Sequence, residues 1–206
     1  MKRNGYTIAE AIITMGIVGI VAALVIPAFV ASYRKQAYAS SLSKAVANLE
    51  NALTTTIMRD GANDLFSTKA WKGTSEDFAK NLNLAFEKAV INEIVLKNGV
   101  VYQIKVQTSD DEAKTEVDIS KSGTNLMSKA GSLTIDVNGN AKPNTIGRDQ
   151  FEYIIGADGH LYPLYSRDWA VYSGETYKSP ETKCVDEKDL NYCGAYLRLN
   201  GYKMDY

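Results

Sequence analysis

From Ala11 to Tyr33 the chain reads AIITMGIVGIVAALVIPAFVASY, a run whose only ionisable side chain is the closing tyrosine. At about 1.5 Å per residue a helix of this run is roughly 35 Å long, enough to cross a hydrocarbon core of about 30 Å. No water-soluble fold places such a stretch at its surface unaided, so the run predicts a membrane span. Lys2 and Arg3 precede it and Arg34 and Lys35 follow it, so counting charges leaves the orientation open, although a short basic N-terminus usually stays in the cytoplasm. A secretory signal has an apolar core of about 7–15 residues and a small-x-small cleavage site. This run is longer and ends in Arg-Lys, which argues against cleavage after it.

Glu10 stands at the edge of this segment. A carboxylate placed toward the bilayer interior costs about 2.5–3.5 kcal/mol on insertion scales unless it is paired or reaches the headgroups. Either Glu10 is solvated in the headgroup zone, or it has a partner.

The surrounding residues are Gly5-Tyr6-Thr7-Ile8-Ala9-Glu10, followed by the apolar run with Gly19 inside it and Pro27 near its end. This pattern resembles the N-terminal signature of type IV pilins and type II secretion pseudopilins: a short basic leader ending in glycine, an aromatic first mature residue, a glutamate at the fifth mature position, and a hydrophobic helix with a proline at the twenty-second. Tyr6 stands where phenylalanine is usual, and Ala9 and Ala11 where bulkier aliphatics are common. The resemblance covers the first 35 or so residues. It implies that a prepilin peptidase cuts between Gly5 and Tyr6 on the cytoplasmic face and methylates the new amino group of Tyr6. It also implies that Glu10 meets the N-terminal amine of a neighbouring subunit, so that two charges costly in an apolar filament core neutralise each other only in register. The implied partners are identical or related subunits, the peptidase, an inner-membrane assembly platform, and membrane lipid before assembly. The implied location is the bacterial inner membrane with an extracytoplasmic head, and then a pilus or pseudopilus.

Four segments follow from this reading: a leader 1–5, a membrane and filament-core helix 6–33, its amphipathic continuation 34–60, and a head 61–206. In the continuation Tyr38, Leu42, Val46, Leu49, Leu53 and Ile57 recur at steps of three and four, with Lys35, Lys44, Glu50 and Arg59 elsewhere on the wheel. Asp60-Gly61 offers a helix stop through a residue tolerant of positive φ. Pro27 removes one helical hydrogen bond and Gly19 weakens the helix, so the stretch between them is expected to bend or melt; alternatively Gly19 and Ala23 form a small-residue packing face.

A second helix is expected from Thr74 to about Val90, with Thr74 and Asp77 at capping-box-like spacing and Phe78, Leu82, Ala85, Phe86 and Ala89 on one face. From Ile94 the period becomes two: Tyr102, Ile104 and Val106; Val117 and Ile119; Leu133, Ile135 and Val137; Phe151, Tyr153 and Ile155. Asn98-Gly99, Asn138-Gly139 and Asp158-Gly159 read as tight turns. The predicted class is α+β, a long helix packed on an antiparallel sheet, which is also the pilin layout.

Lysine plus arginine number 23 against 24 acidic residues, which leaves no basic field for a nucleic-acid backbone. One histidine, His160, expected in a turn or strand, and two cysteines, Cys184 and Cys193, are too few for a four-ligand Cys/His zinc site. With the head outside the cytoplasm a Cys184–Cys193 disulfide is expected, closing a C-terminal region; two buried free thiols are the alternative. Asp136, Asn138, Asn140 and Asp149 gather oxygens that suit calcium, but the glycine spacing is wrong for an EF-hand, and an Asx-type turn explains the same residues. No other cofactor is indicated. Tyr153, Tyr162, Tyr165, Tyr172, Tyr177, Tyr192, Tyr196, Tyr202 and Tyr206, with Trp169, crowd the last quarter of the chain, suiting either an interface with protein or carbohydrate or a tyrosine-built core. No nucleophile elbow, P-loop or dinucleotide fingerprint occurs, so the chain reads as non-enzymatic. An anchored enzyme would need Asp136, Asp149 and Asp158 to cluster. The other alternative is a permanently anchored extracytoplasmic binding protein.

Overall fold

The computed structural model describes residues 7–72, 75–82, 86–90, 93–106, 129–139, 141–173 and 176–206. The chain divides into two units, 1–37 and 38–206. Helix α1 spans Ile8–Asp60 and continues without interruption through Gly19 and Pro27, so the expected melting between them is not found. One missing N–H leaves the other hydrogen bonds of so long a helix in place.

Within the second unit α1 lays a stripe on the core. Leu42, Val46, Leu49 and Leu53 are buried, with Tyr38 and Ile57 packed partly buried at its two ends. Spacings of three and four keep these side chains on one face, and each leucine so buried contributes about 1.5–3 kcal/mol. The helix stops at Gly61, whose φ of 60° lets the Ala62 and Gly61 amides turn back to the Ile57 and Met58 carbonyls at 3.1 and 3.2 Å. These paired bonds satisfy carbonyls that the helix end would otherwise strand.

A short helix α2, Ser75–Asn81, leads into a sheet of six strands: β1 Phe86–Val90, β2 Glu93–Leu96, β3 Val101–Val106, β4 Lys129–Asp136, β5 Gln150–Gly156 and β6 Leu161–Pro163. The spatial order is the chain order and every neighbouring pair is antiparallel. The register explains the core. Ile94, Tyr102, Ile135 and Phe151 lie opposite one another across four strands, and Ile104, Leu133 and Tyr153 form the next row. All are buried and join the α1 stripe in one cluster. The alternation read from sequence therefore puts one sheet face against the helix, and the Tyr102 hydroxyl donates to the Ala45 carbonyl at 2.9 Å.

One expected element is wrong. The helix expected over Thr74–Val90 ends at Asn81, and Phe86–Val90 is instead strand β1, pairing Lys88 with Val95 and Ala89 with Ile94. Phe86 and Ala89 share the helical period of Phe78 and Leu82, but β2 offers their backbone a ladder, and two asparagines in 81–83 favour a break. Phe78 and Leu82 are buried as expected. The expected Val117–Ile119 strand, Thr74 and Ala85 lie outside the described residues.

The Asn98-Gly99 and Asp158-Gly159 turns join β2 to β3 and β5 to β6. Gly139, in the β4–β5 connection, has φ 60°, and a Cβ there would sit 2.8 Å from the Gly99 carbonyl oxygen, so the two turns approach each other only because this residue is glycine. Two more helices follow, α3 Arg167–Ser173 and α4 Cys193–Leu199.

Candidate functional site

The N-terminal unit opens on a reciprocal cap. The Thr7 amide and hydroxyl each donate to Glu10 Oε2 at 2.9 Å, while the Glu10 amide donates to Thr7 Oγ1 at 3.3 Å. Thr7 is thus the N-cap and Glu10 the third helical residue, and each satisfies a donor that the helix start leaves unpaired. The negative charge also suits the positive end of the helix. In the single chain, then, the Glu10 carboxylate is held by a residue three positions away, and the charge is exposed rather than buried. The Thr-x-x-Glu spacing that produces this cap is written in the sequence. Gly5 and Tyr6 lie outside the described residues.

After the cap comes bare hydrocarbon. Ile12, Ile13, Met15, Ile17, Val18, Ile20, Val21, Leu24, Val25, Ile26 and Phe29 are all exposed, and none of the most apolar 18 residues is buried. The helix is long and apolar enough to span a membrane. Soluble monomers rarely expose contiguous apolar patches beyond a few hundred Å². A Cβ added at Gly16 or Gly19 would meet nothing within 4 Å, so no contact inside the chain demands glycine there. Among the described residues nothing packs on Gly19 or Ala23 that would select the small-residue packing reading.

In the second unit Asp136 and Asp149 flank the β4–β5 connection. Asp149 is fully buried and receives the Asn144 and Thr145 amides, each at 2.7 Å, one on each carboxylate oxygen. Asp136 receives the Asn138 amide at 3.1 Å and the Gln150 side-chain amide at 3.0 Å. Burial raises the Asp136 carboxyl above the ordinary aspartate range, the Gln150 and Asn138 hydrogen bonds oppose the shift, and the Asp149 charge adds to it. Asn138 turns its amide nitrogen to the Tyr38 hydroxyl at 3.2 Å and the Ala141 carbonyl at 3.0 Å, pinning the loop to α1. These oxygens organise a turn, and among the described residues no three His, Cys, Asp or Glu side chains are grouped to hold a metal. Asn140 lies outside the described residues.

The three carboxylates an enzyme reading needs do not come together. Asp136 and Asp149 sit at one end of the β4–β5 pair, and Asp158 follows the other end, a strand length of about 20 Å away. There Asp158 accepts from the Tyr162 hydroxyl at 2.6 Å and the His160 amide at 3.0 Å. His160 is an exposed turn residue.

Cys184 and Cys193 form a disulfide with their Cα atoms 5.0 Å apart, and both are fully buried. Tyr196, Leu190, Tyr192 and Tyr206 pack around it. Tyr192 stacks on Tyr165 with ring centroids 4.4 Å apart, Tyr206 reaches the Gly147 carbonyl at 2.7 Å, and Tyr196 donates to Asp205 at 2.8 Å. Desolvation, then the hydrogen bond to Asp205, pushes the Tyr196 hydroxyl up to about 12. The tyrosines thus divide: Tyr153 is core, Tyr196 and Tyr206 fasten the C-terminus, and Tyr177 is 42% exposed. The Tyr172 side chain lies outside the described ones.

Two groupings are invisible in sequence, the first because the chain brings its members from far apart and the second because no period relates its members. Glu50 on α1 accepts from the Leu161 amide at 3.0 Å and pairs with Arg198 at 3.3 Å, while Arg198 also donates to the Leu161 carbonyl; helix, edge strand and C-terminal helix are clamped at one point. Beside this clamp, β6, α3 and α4 surround an open cleft of about 400 Å³ that includes Arg167, Asp168 and Tyr177.

Compared with protein-family models and with curated protein sequences, the chain matches none.

Proposed function

We propose that this chain is the precursor of a filament subunit of the type IV pilin or type II secretion pseudopilin kind, without enzymatic activity of its own. The observation that carries the reading is a single carboxylate, Glu10, capping the first turn of a helix whose next 23 residues are uncharged and, apart from half-buried Ala11 and Ala22, exposed. Hydrocarbon in that amount needs lipid or other helices, and a carboxylate at its edge gives such helices a register.

In this reading prepilin peptidase cuts between Gly5 and Tyr6 and methylates the Tyr6 amine. The helix holds the subunit in the inner membrane with the disulfide-closed head outside the cytoplasm until the assembly platform transfers it to the filament. Before assembly Thr7 satisfies Glu10, which lowers the cost of carrying a charge at the membrane edge. In the filament the carboxylate meets a neighbour's N-terminal amine, a pairing that specifies geometry more than it stabilises. Gly16 and Gly19, with open space around them, let a neighbouring helix approach closely.

The test is to express the full chain with a prepilin peptidase and measure the N-terminal mass of the membrane-bound product. The expected product starts at methylated Tyr6 and is lost in Gly5→Ala. An intact Met1 beside an active peptidase overturns the reading and leaves the permanently anchored binding protein.

A further inference from the structure

The cleft between β6, α3 and α4 holds about 400 Å³, inside the range of roughly 300–1,000 Å³ common to small-ligand sites. Its wall mixes two kinds of surface. Tyr177, 42% exposed, and Leu199, 69% exposed, supply apolar area, whereas Ser166, Arg167, Asp168 and Arg198 supply polar groups. Arg198 is already committed to Glu50 and to the Leu161 carbonyl, so its charge is neutralised within the fold. The Arg167 guanidinium lies 5.8 Å from the centre of the Tyr177 ring, which holds its donor fork at the cleft wall. Among the described residues no hydrogen bond or ion pair takes up the side chains of Arg167 or Asp168.

The chemistry of these groups narrows the ligand. Arg167 only donates, Asp168 only accepts, and the Ser166 hydroxyl does both. Their charges cancel, so an anion would face Asp168 and a cation would face Arg167. A purely apolar ligand would leave both unpaired. A small zwitterion could meet both charges, but it carries no apolar face and would leave the Tyr177 ring and Leu199 uncovered. A saccharide meets every condition: each of its hydroxyls donates and accepts, and its C–H face packs on an aromatic ring. We infer that this cleft is a binding site for a neutral saccharide, with Asp168 and Arg167 reading its hydroxyls and Tyr177 and Leu199 contacting its apolar face. The site belongs to the head alone and does not depend on the filament reading.

The full chain in phosphocholine nanodiscs, free of sugar detergents, is titrated with the methyl glycosides of glucose, galactose, mannose and N-acetylglucosamine and with diglycine, and read by saturation-transfer NMR. At least one glycoside is expected to bind with a Kd of about 1–10 mM, as fits a shallow site. Asp168→Asn and Tyr177→Ala should each weaken it about tenfold, and Lys97→Gln, in the distant β2–β3 turn, should not. Both altered side chains are at the surface, and an unchanged far-ultraviolet spectrum confirms that the variants fold. Absence of transfer from all four glycosides at about 20 mM, affinity unchanged in both cleft variants, or binding of diglycine alone would each overturn the inference.

Discussion

The two units of this chain solve the same problem in opposite ways. Residues 38–60 of α1 carry apolar side chains at steps of three and four and bury them against a sheet from the same chain. Residues 8–37 carry more hydrocarbon, distributed all round, and bury almost none of it. One helix therefore runs through two environments, and the periodicity of its sequence states which is which: a stripe implies an internal partner, and the loss of a stripe implies that lipid or other molecules supply the contacts.

The largest expected effect tests this contrast directly. Leu49→Ala should destabilise the head by about 2–5 kcal/mol, because a fully buried leucine leaves a cavity. Val18→Ala, a change of similar chemistry on the same helix, should leave the head's denaturant midpoint unchanged. An equal loss at both positions would break the comparison. Next comes the disulfide. Removing it as Cys184→Ser with Cys193→Ser should cost about 2–3 kcal/mol by the loop-entropy account and loosen the Tyr192 and Tyr206 contacts without altering membrane extraction of the chain.

A smaller effect is confined to the helix start. Thr7→Ala removes both bonds of the Thr7 hydroxyl, leaving only the backbone amide on Glu10, and should cost about 0.5–2 kcal/mol locally, seen as faster hydrogen exchange at the Glu10 amide and no change in head unfolding. The smallest is a slope with pH. Because the Asp136 carboxyl titrates higher in the folded head than in the unfolded chain, the folded state binds more protons between the two values. Its contribution to stability therefore falls as pH rises from about 4, the ordinary aspartate range, through the raised folded value. Asp136→Asn should flatten that part of the denaturation profile.

The sequence made much of this visible for physical reasons. The α1 stripe, the alternating strands around Tyr102, Ile135 and Tyr153, and the Asn-Gly and Asp-Gly turns are local signals that the fold obeys. Strand β1 was hidden because Phe86 and Ala89 continue the helical period of Phe78 and Leu82, and only pairing with β2 decides between the two states. The Thr7–Glu10 cap is legible as a Thr-x-x-Glu spacing, though it is overshadowed by the apolar run beside it. Glu50 with Arg198 carries no local pattern, since residues distant in sequence meet there only after the sheet has formed; Arg167 and Asp168 lie close to Tyr177 in sequence, but no helical or strand period relates them. Asp136 and Asp149 show the converse: a sequence cluster of oxygens whose hydrogen bonds serve their own turn.

In the proposed filament Glu10 sets the register of helices that otherwise have only hydrocarbon to offer one another. The most direct measurement is the amount of subunit recovered in sheared filaments from cells carrying the cognate peptidase and assembly platform, for wild type and for Glu10→Ala. The account predicts that Glu10→Ala is cleaved at Gly5 and retained in the membrane but absent from the filament fraction. Recovery of Glu10→Ala in filaments at the wild-type level would contradict it.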